Sequence, residues 1–146
     1  MKKKTEKILE EIDNSLSLAE FLQNNEGQFE LLTIGEYIDL EIAKRGLKKE
    51  QIIRDSGIIK RYFNQIISGA KSPTRRYIIR ILLSMELDLP DIQWYLKACD
   101  YNQLFVKNKR DAIIIYCVNQ KLSVRECNEM LNNVGLENLG FEDIRR

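Results

Sequence analysis

The sequence predicts an all-α protein. Apolar residues recur at helical spacing along the chain, no segment alternates with the two-residue period of a strand, and glycines punctuate short amphipathic stretches. Proline occurs only at Pro73 and Pro90, and no stretch is rich in Ser, Gly or Pro. At 146 residues, 44% apolar and 31% charged, the chain can bury a real core in one domain with a helical extension.

Lys4 to Leu16 places Ile8, Leu9, Ile12 and Leu16 on one helical stripe, and Ser17-Leu-Ala-Glu20 reads as a capping box opening a second short helix that Gly27 closes. This front segment, residues 1–30, is most simply a helix pair docked on its own domain. The 3-4-3 spacing of Leu9, Ile12, Leu16 and Ala19 keeps a dimerisation element open as the alternative. Helices are then expected over Ile34 to Arg45, Lys49 to Ser56, Lys60 to Ser68 and Thr74 to Glu86. Gly46, Gly57 and Gly69 stop the first three, and Thr74, after Pro73, is the N-cap of the fourth. Four short helices with tight glycine turns predict a helix-turn-helix domain, assigned to residues 31–86.

Composition excludes much chemistry. There is no histidine, which removes histidine-based triads and most zinc sites. The longest apolar run, Ala112 to Asn119 counting one polar end, is far too short to span a membrane, and the charged start Met1-Lys-Lys-Lys-Thr-Glu leads into no apolar signal core. Three cysteines without such a signal indicate a cytoplasmic protein. The net charge of +1 is an average over two unlike parts. Between Lys44 and Arg80 eleven cations face two acids, Glu50 and Asp55, a net +9, while the remaining residues carry −8. Such asymmetry points to a polyanionic partner, with a solvated cationic face as the alternative.

The run Ser56-Gly-Ile-Ile-Lys-Arg-Tyr-Phe-Asn-Gln-Ile-Ile-Ser-Gly-Ala-Lys-Ser-Pro-Thr74, preceded by Gly46-Leu-Lys-Lys-Glu-Gln51, closely resembles the Cro/lambda-repressor-like (XRE-type) helix-turn-helix family. The match to its Ser-Gly-Val, Tyr-Ile-x-Gln-Ile, Ser-Gly and Asn/Ser-Pro-Ser signature extends from about Ile34 to Leu87. Ile59, Phe63, Ile66 and Ile67 form one stripe for burial, with Lys60, Arg61 and Asn64 opposite and Gln65 near the edge. These donors suit base edges in the major groove of double-stranded DNA. The resemblance implies base reading by Lys60, Arg61, Asn64 and Gln65, and phosphate contacts from Lys49, Lys71, Thr74, Arg75 and Arg76. It also implies a transcriptional regulator, commonly a dimer on a near-palindromic site.

Four departures carry expectations. Ile42 and Ile67 stand where the family often has an Arg–Glu pair between helices, so an apolar contact should replace it. Ile53 replaces an alanine at a close helix crossing and should push the helices apart or change their angle. Ile59 replaces a Ser/Thr cap, a loss of about 1 kcal/mol.

A displacement of 35 residues aligns Thr74 to Phe105 with Lys109 to Gly140 without a gap, so residues 87–146 are expected to extend the domain as a helical repeat. Arg75 meets Arg110, Ile78 meets Ile113, Leu96 meets Leu131, and Leu104 meets Leu139. This tail, with Leu122-Ser-Val-x-Glu-x-Asn-x-x-Leu131, resembles C-terminal extensions of some XRE-type bacterial proteins. Cys99, Cys117 and Cys127 each align with an aliphatic residue and read as core thiols, with no Cys-x-x-Cys to suggest metal. Trp94 aligns with Glu129 and is the candidate exposed partner contact, whereas Tyr95 aligns with Met130 and should be buried. Ser68-Gly-Ala-Lys71 lacks the companion motifs of a Ser-x-x-Lys enzyme, and Asp88, Asp91, Glu126 and Glu129 read as solvated. No catalytic site, cofactor or membrane contact is expected. Two functions stand: a duplex-DNA-binding regulator, and a protein–protein adaptor using the helical repeat with a vestigial helix-turn-helix.

Overall fold

The computed structural model describes residues 3–14, 20, 24–25 and 32–142. They form eight helices and no strand: α1 Thr5–Asn14, α2 Ile34–Arg45, α3 Lys49–Ser56, α4 Lys60–Ser68, α5 Arg75–Ser84, α6 Leu89–Ala98, α7 Lys109–Asn119 and α8 Val124–Asn133. None is long and apolar enough to cross a membrane. The chain divides into two compact units, Met1–Leu32 and Thr33–Arg146.

In the first unit, Lys3 Nζ donates to both carboxylate oxygens of Glu11 at 2.9 and 3.0 Å and to the Asn24 carbonyl at 2.9 Å. Asn25 Nδ2 donates to the same carboxylate at 2.7 Å, so Glu11 of α1 and the preceding Lys3 are tied to residues 24–25. Leu9 and Ile12 on the predicted stripe are exposed. The expected Ser17 capping box, Leu16, Ala19 and the Gly27 stop lie outside the described residues.

In the second unit the helices expected at residues 34, 49 and 60 have the limits read from the sequence. Gly46, Gly57 and Gly69 end them in the left-handed conformation, with φ of 65°, 69° and 85°, which glycine adopts without steric penalty. α2 also carries a capping box: Thr33 Oγ accepts from the Glu36 N–H at 3.1 Å and the Glu36 carboxylate accepts from the Thr33 N–H at 3.0 Å. α2 packs on α4, and α3 on α5. Gly35 makes the first contact tight, because its backbone lies directly against the carbonyl groups of Ile66 and Ile67. Ile42 is buried and Ile67 half-buried against the core. Ile53 is accommodated inside the core at 2% exposure.

The 35-residue repeat is present in detail. α6 and α8 start and end 35 residues apart. The turns before them place Glu86 and Lys121 at φ 56°, and the turns after them place Asp100 at φ 64° and Gly135 at φ 74°. The hydrogen bonds repeat as well. Arg75 Nε donates to the Asn102 carbonyl and Arg110 Nε to the Glu137 carbonyl, each at 2.8 Å. The Leu104 N–H donates to Gln93 Oε1 at 2.7 Å and the Leu139 N–H to Asn128 Oδ1 at 2.8 Å. Left-handed non-glycine residues cost free energy, so their recurrence at matched positions marks one structural unit used twice. α7 packs on α8, and this second hairpin joins the first through α5–α8 and α6–α7 contacts.

Cys117 and Cys127 are fully buried in the second hairpin, as their aliphatic counterparts suggested, whereas Cys99 is half-buried. Burial raises the Cys99 thiol above its ordinary value. The Cys127 thiol is raised further by the hydrogen bond it shares with Cys117 and then by burial, which keeps it protonated.

Candidate nucleic-acid interface

α3 and α4 are joined by the three-residue turn Gly57-Ile58-Ile59. Ile58 is fully buried and plugs the turn into the core, while its N–H donates to Ser56 Oγ at 3.4 Å. Ile59 occupies the N-cap of α4, is exposed, and makes no capping bond, which is the loss its side chain implied.

α4 is divided lengthwise. Phe63 and Ile66 are fully buried, while Lys60, Arg61 and Asn64 are exposed and Gln65 is half-buried. Lys60 Nζ lies 2.8 Å from Glu50 Oε1, an exposed ion pair that brings the first turn of α3 to the outward face of α4. The hydrogen bond from Lys60 holds the Glu50 carboxyl below its ordinary value. Water screens such a pair, so Lys60 can exchange this partner for another anion.

The five residues expected at phosphates separate into two groups. Lys49 is half-buried at the start of α3, Lys71 is exposed after α4, and Thr74 is the exposed N-cap of α5. Contrary to the capping role expected, the Thr74 hydroxyl makes no bond to the α5 backbone. Arg76 is half-buried with its guanidinium 4.9 Å from the Tyr77 ring centroid.

Arg75 differs. It donates through Nε and Nη2 to the carbonyls of Asn102 and Gln103 at 2.8 and 3.0 Å, and through Nη1 and Nη2 to the buried Asp111 carboxylate at 3.2 and 3.0 Å. Four of its five N–H groups are therefore spent within the chain, and it staples α5 to the loop before α7. Arg45 and Arg80 are also spent internally, on Glu41 with Asp91 and on Glu142 respectively. Of the eleven cations in the basic segment, seven make no ion pair among the described residues: Lys44, Lys48, Lys49, Arg54, Arg61, Lys71 and Arg76.

Several structural anchors escaped the sequence. Glu41 is buried, accepts from the Tyr95 hydroxyl and pairs with Arg45. Burial works against its ionised form, but the Tyr95 and Arg45 hydrogen bonds outweigh that and lower its pKa. Tyr95 is half-buried, and Trp94 is 54% exposed, as their counterparts in the repeat suggested. Arg80 is fully buried although it counted as one more cation of the basic segment. The repeat held the signal, since Arg80 aligns with Ile115, an aliphatic position.

The second hairpin carries a groove of about 560 Å³ lined by Ala112, Ile113, Tyr116, Met130 and Val134 together with Lys109 and Asn133. Tyr116 and Val134 are exposed there. Their counterparts in the first copy are Ile81, which is fully buried, and Cys99, which is half-buried. Among the described residues no group of three or more Cys, Asp or Glu side chains could hold a metal ion. Compared with family models, characterised proteins and solved structures, the chain matches none.

Proposed function

We propose that the chain is a sequence-specific duplex-DNA-binding transcriptional regulator with a lambda-repressor-like helix-turn-helix, in which α4 enters the major groove. The observation that carries this is the division of α4. One side is held by Phe63 and Ile66 in the core, and the other carries exposed Lys60, Arg61 and Asn64 with half-buried Gln65 beside them. Lys and Arg donate to guanine edges, and Asn and Gln pair with adenine. Lys49, Lys71, Thr74 and Arg76 flank α4 and supply the phosphate contacts that set its register. Arg75 is not in this set, because its donors already serve Asp111 and the loop carbonyls.

Selection of bound fragments from random duplexes tests the reading. A defined site should emerge, with two half-sites if the protein binds as a dimer. The double substitution Lys60→Ala/Arg61→Ala should lose the preference for that site by about 100-fold while remaining folded, at about 1–3 kcal/mol for each good base contact. Equal binding of selected and random duplexes by the wild type would sink the proposal.

The groove between α7 and α8 favours a second reading, a protein adaptor, since exposed Tyr116 and Val134 suit an apolar partner better than a phosphate backbone. Tyr116→Lys separates the two, because it should leave DNA binding intact and abolish protein association.

A further inference from the structure

Residues 139–142 run back from the second hairpin onto the turn that precedes α4. The Glu142 N–H donates to the Gly57 carbonyl at 2.8 Å. The Phe141 ring lies over Gly57 so closely that a Cβ there would fall 2.3 Å from two ring atoms. Arg125 stacks on that ring, 3.9 Å from its centroid. Beneath them lies Arg80, fully buried on α5. Its Nε donates to the carbonyl of Ser56, the last residue of α3, at 2.9 Å. Its Nη1 donates to both Glu142 carboxylate oxygens at 3.0 and 2.9 Å and to the Leu139 carbonyl at 3.3 Å.

This cluster is an expensive way to fill a core. Arg80 Nη2 is buried with no hydrogen-bond partner among the described residues. Its partner Glu142 is exposed, so only the guanidinium leaves water, and its desolvation is a cost that well-packed apolar side chains avoid. The second hairpin shows the cheaper solution, because Ile115 takes the place that Arg80 has in the first. The charge is kept where the first hairpin meets α3, and there it does two things that an isoleucine cannot. It satisfies a carbonyl at the negative end of α3, and it holds the carboxylate of the residue pinned to Gly57.

We propose that Arg80 and Glu142 are positioning residues, clasped across Gly57, that fix the direction in which α4 leaves the turn. This rests on the reading of α4 as the DNA-contacting helix. α4 needs such a brace, since it is nine residues long and starts without a side-chain cap. Its fully buried contacts are Phe63 and Ile66, both C-terminal to Lys60 and Arg61, so those leading residues are aimed by the turn. The second hairpin thereby contributes to DNA recognition without touching DNA.

The test compares wild type with Glu142→Gln, which keeps the shape and the backbone bond but removes the charge, and with Glu142→Asp. Phe141→Leu provides a second route to the same turn if Glu142→Gln does not fold. Amide exchange of residues 57–62 and affinity for selected and random duplexes are measured on the same samples. Glu142→Gln should speed exchange at residues 57–62 about tenfold relative to α7 amides. It should also lower the selected-to-random affinity ratio about tenfold, with the salt slope unchanged, and Glu142→Asp should recover part of both effects. Unchanged exchange at the turn, or a loosened turn with the affinity ratio intact, overturns the proposal. A wild type that does not discriminate between duplexes overturns the DNA reading instead, and the exchange measurement still decides whether the clasp holds the turn.

Discussion

Replacing Gly35 with alanine isolates the packing of α2 on α4. In an exposed helix interior the change would stabilise by roughly 0.8–1.0 kcal/mol, because alanine has less backbone freedom to lose. Here the new methyl would lie 2.2 Å from the Ile66 carbonyl oxygen, 2.6 Å from that of Ile67 and 2.9 Å from the Ile67 carbonyl carbon. Non-bonded heavy atoms settle at about 3.5 Å, so α2 and α4 must part by roughly 1 Å. All three obstructing atoms are backbone, and no rotamer change relieves them. Forced separation of a packed core costs typically about 1–3 kcal/mol, which exceeds the propensity gain. The expected outcome is a net loss of up to about 2 kcal/mol and a fall in Tm of roughly 4 °C per kcal/mol, read by circular dichroism. Lys44→Ala, on the exposed side of the same helix, should change Tm by little. A Gly35→Ala protein that gains the roughly 1 kcal/mol of an unobstructed site would refute the close approach and, with it, the placement of α4 against α2.

Two further outcomes follow from how the charges are used. Arg75→Ala should cost about 2 kcal/mol of stability by stranding the buried Asp111 carboxylate, yet leave the salt dependence of DNA binding nearly unchanged, whereas Lys71→Ala should reduce the salt slope by about 1 with Tm intact. The reverse pattern would return Arg75 to the phosphate contacts. Glu41, whose pKa lies below the unfolded value of 4.5, stabilises the fold fully above that value and loses this contribution as pH falls through the lower folded pKa. Chemical denaturation between pH 6 and 2, chosen to bracket the ordinary carboxylate range, should therefore show a shallower acid loss in Glu41→Gln than in wild type, and parallel curves would refute the assignment.

Local chemistry was legible and long-range pairing was not. The limits of α2, α3 and α4 follow from glycines that must adopt positive φ and from apolar spacing, both written within a few residues. The exposed face of α4 was legible for the same reason. Thr33 and Glu36 also formed a readable capping box three residues apart, although the hydrophobic spacing alone drew attention to Ile34. The fates of Arg75 and Arg80 depend on Asp111 and Glu142, 36 and 62 residues away. Nothing in a run of cations distinguishes one that will face solvent from one that a distant carboxylate will draw inward. Gly35 was silent for a similar reason, since the Ile66 carbonyl that demands its missing side chain lies on another helix.

The internal repeat supplies what local spacing lacked, because its two copies differ in their surroundings more than in their folding. Gln93 and Asn128 accept from matching backbone N–H groups, and Arg75 and Arg110 donate to matching loop carbonyls, so those positions serve the hairpin itself. Tyr77, Arg80 and Tyr95 are replaced by Ala112, Ile115 and Met130. In the first copy the Tyr77 ring meets that of Tyr62 of α4 edge-on at 5.1 Å, Tyr95 meets Tyr37 and Glu41 of α2, and Arg80 grips the end of α3. Each substitution thus falls where the first hairpin holds one of the three helices before it. Differences between the copies map that junction, and the same comparison explains why Tyr116, in the place of buried Ile81, stands exposed over the groove of the second hairpin.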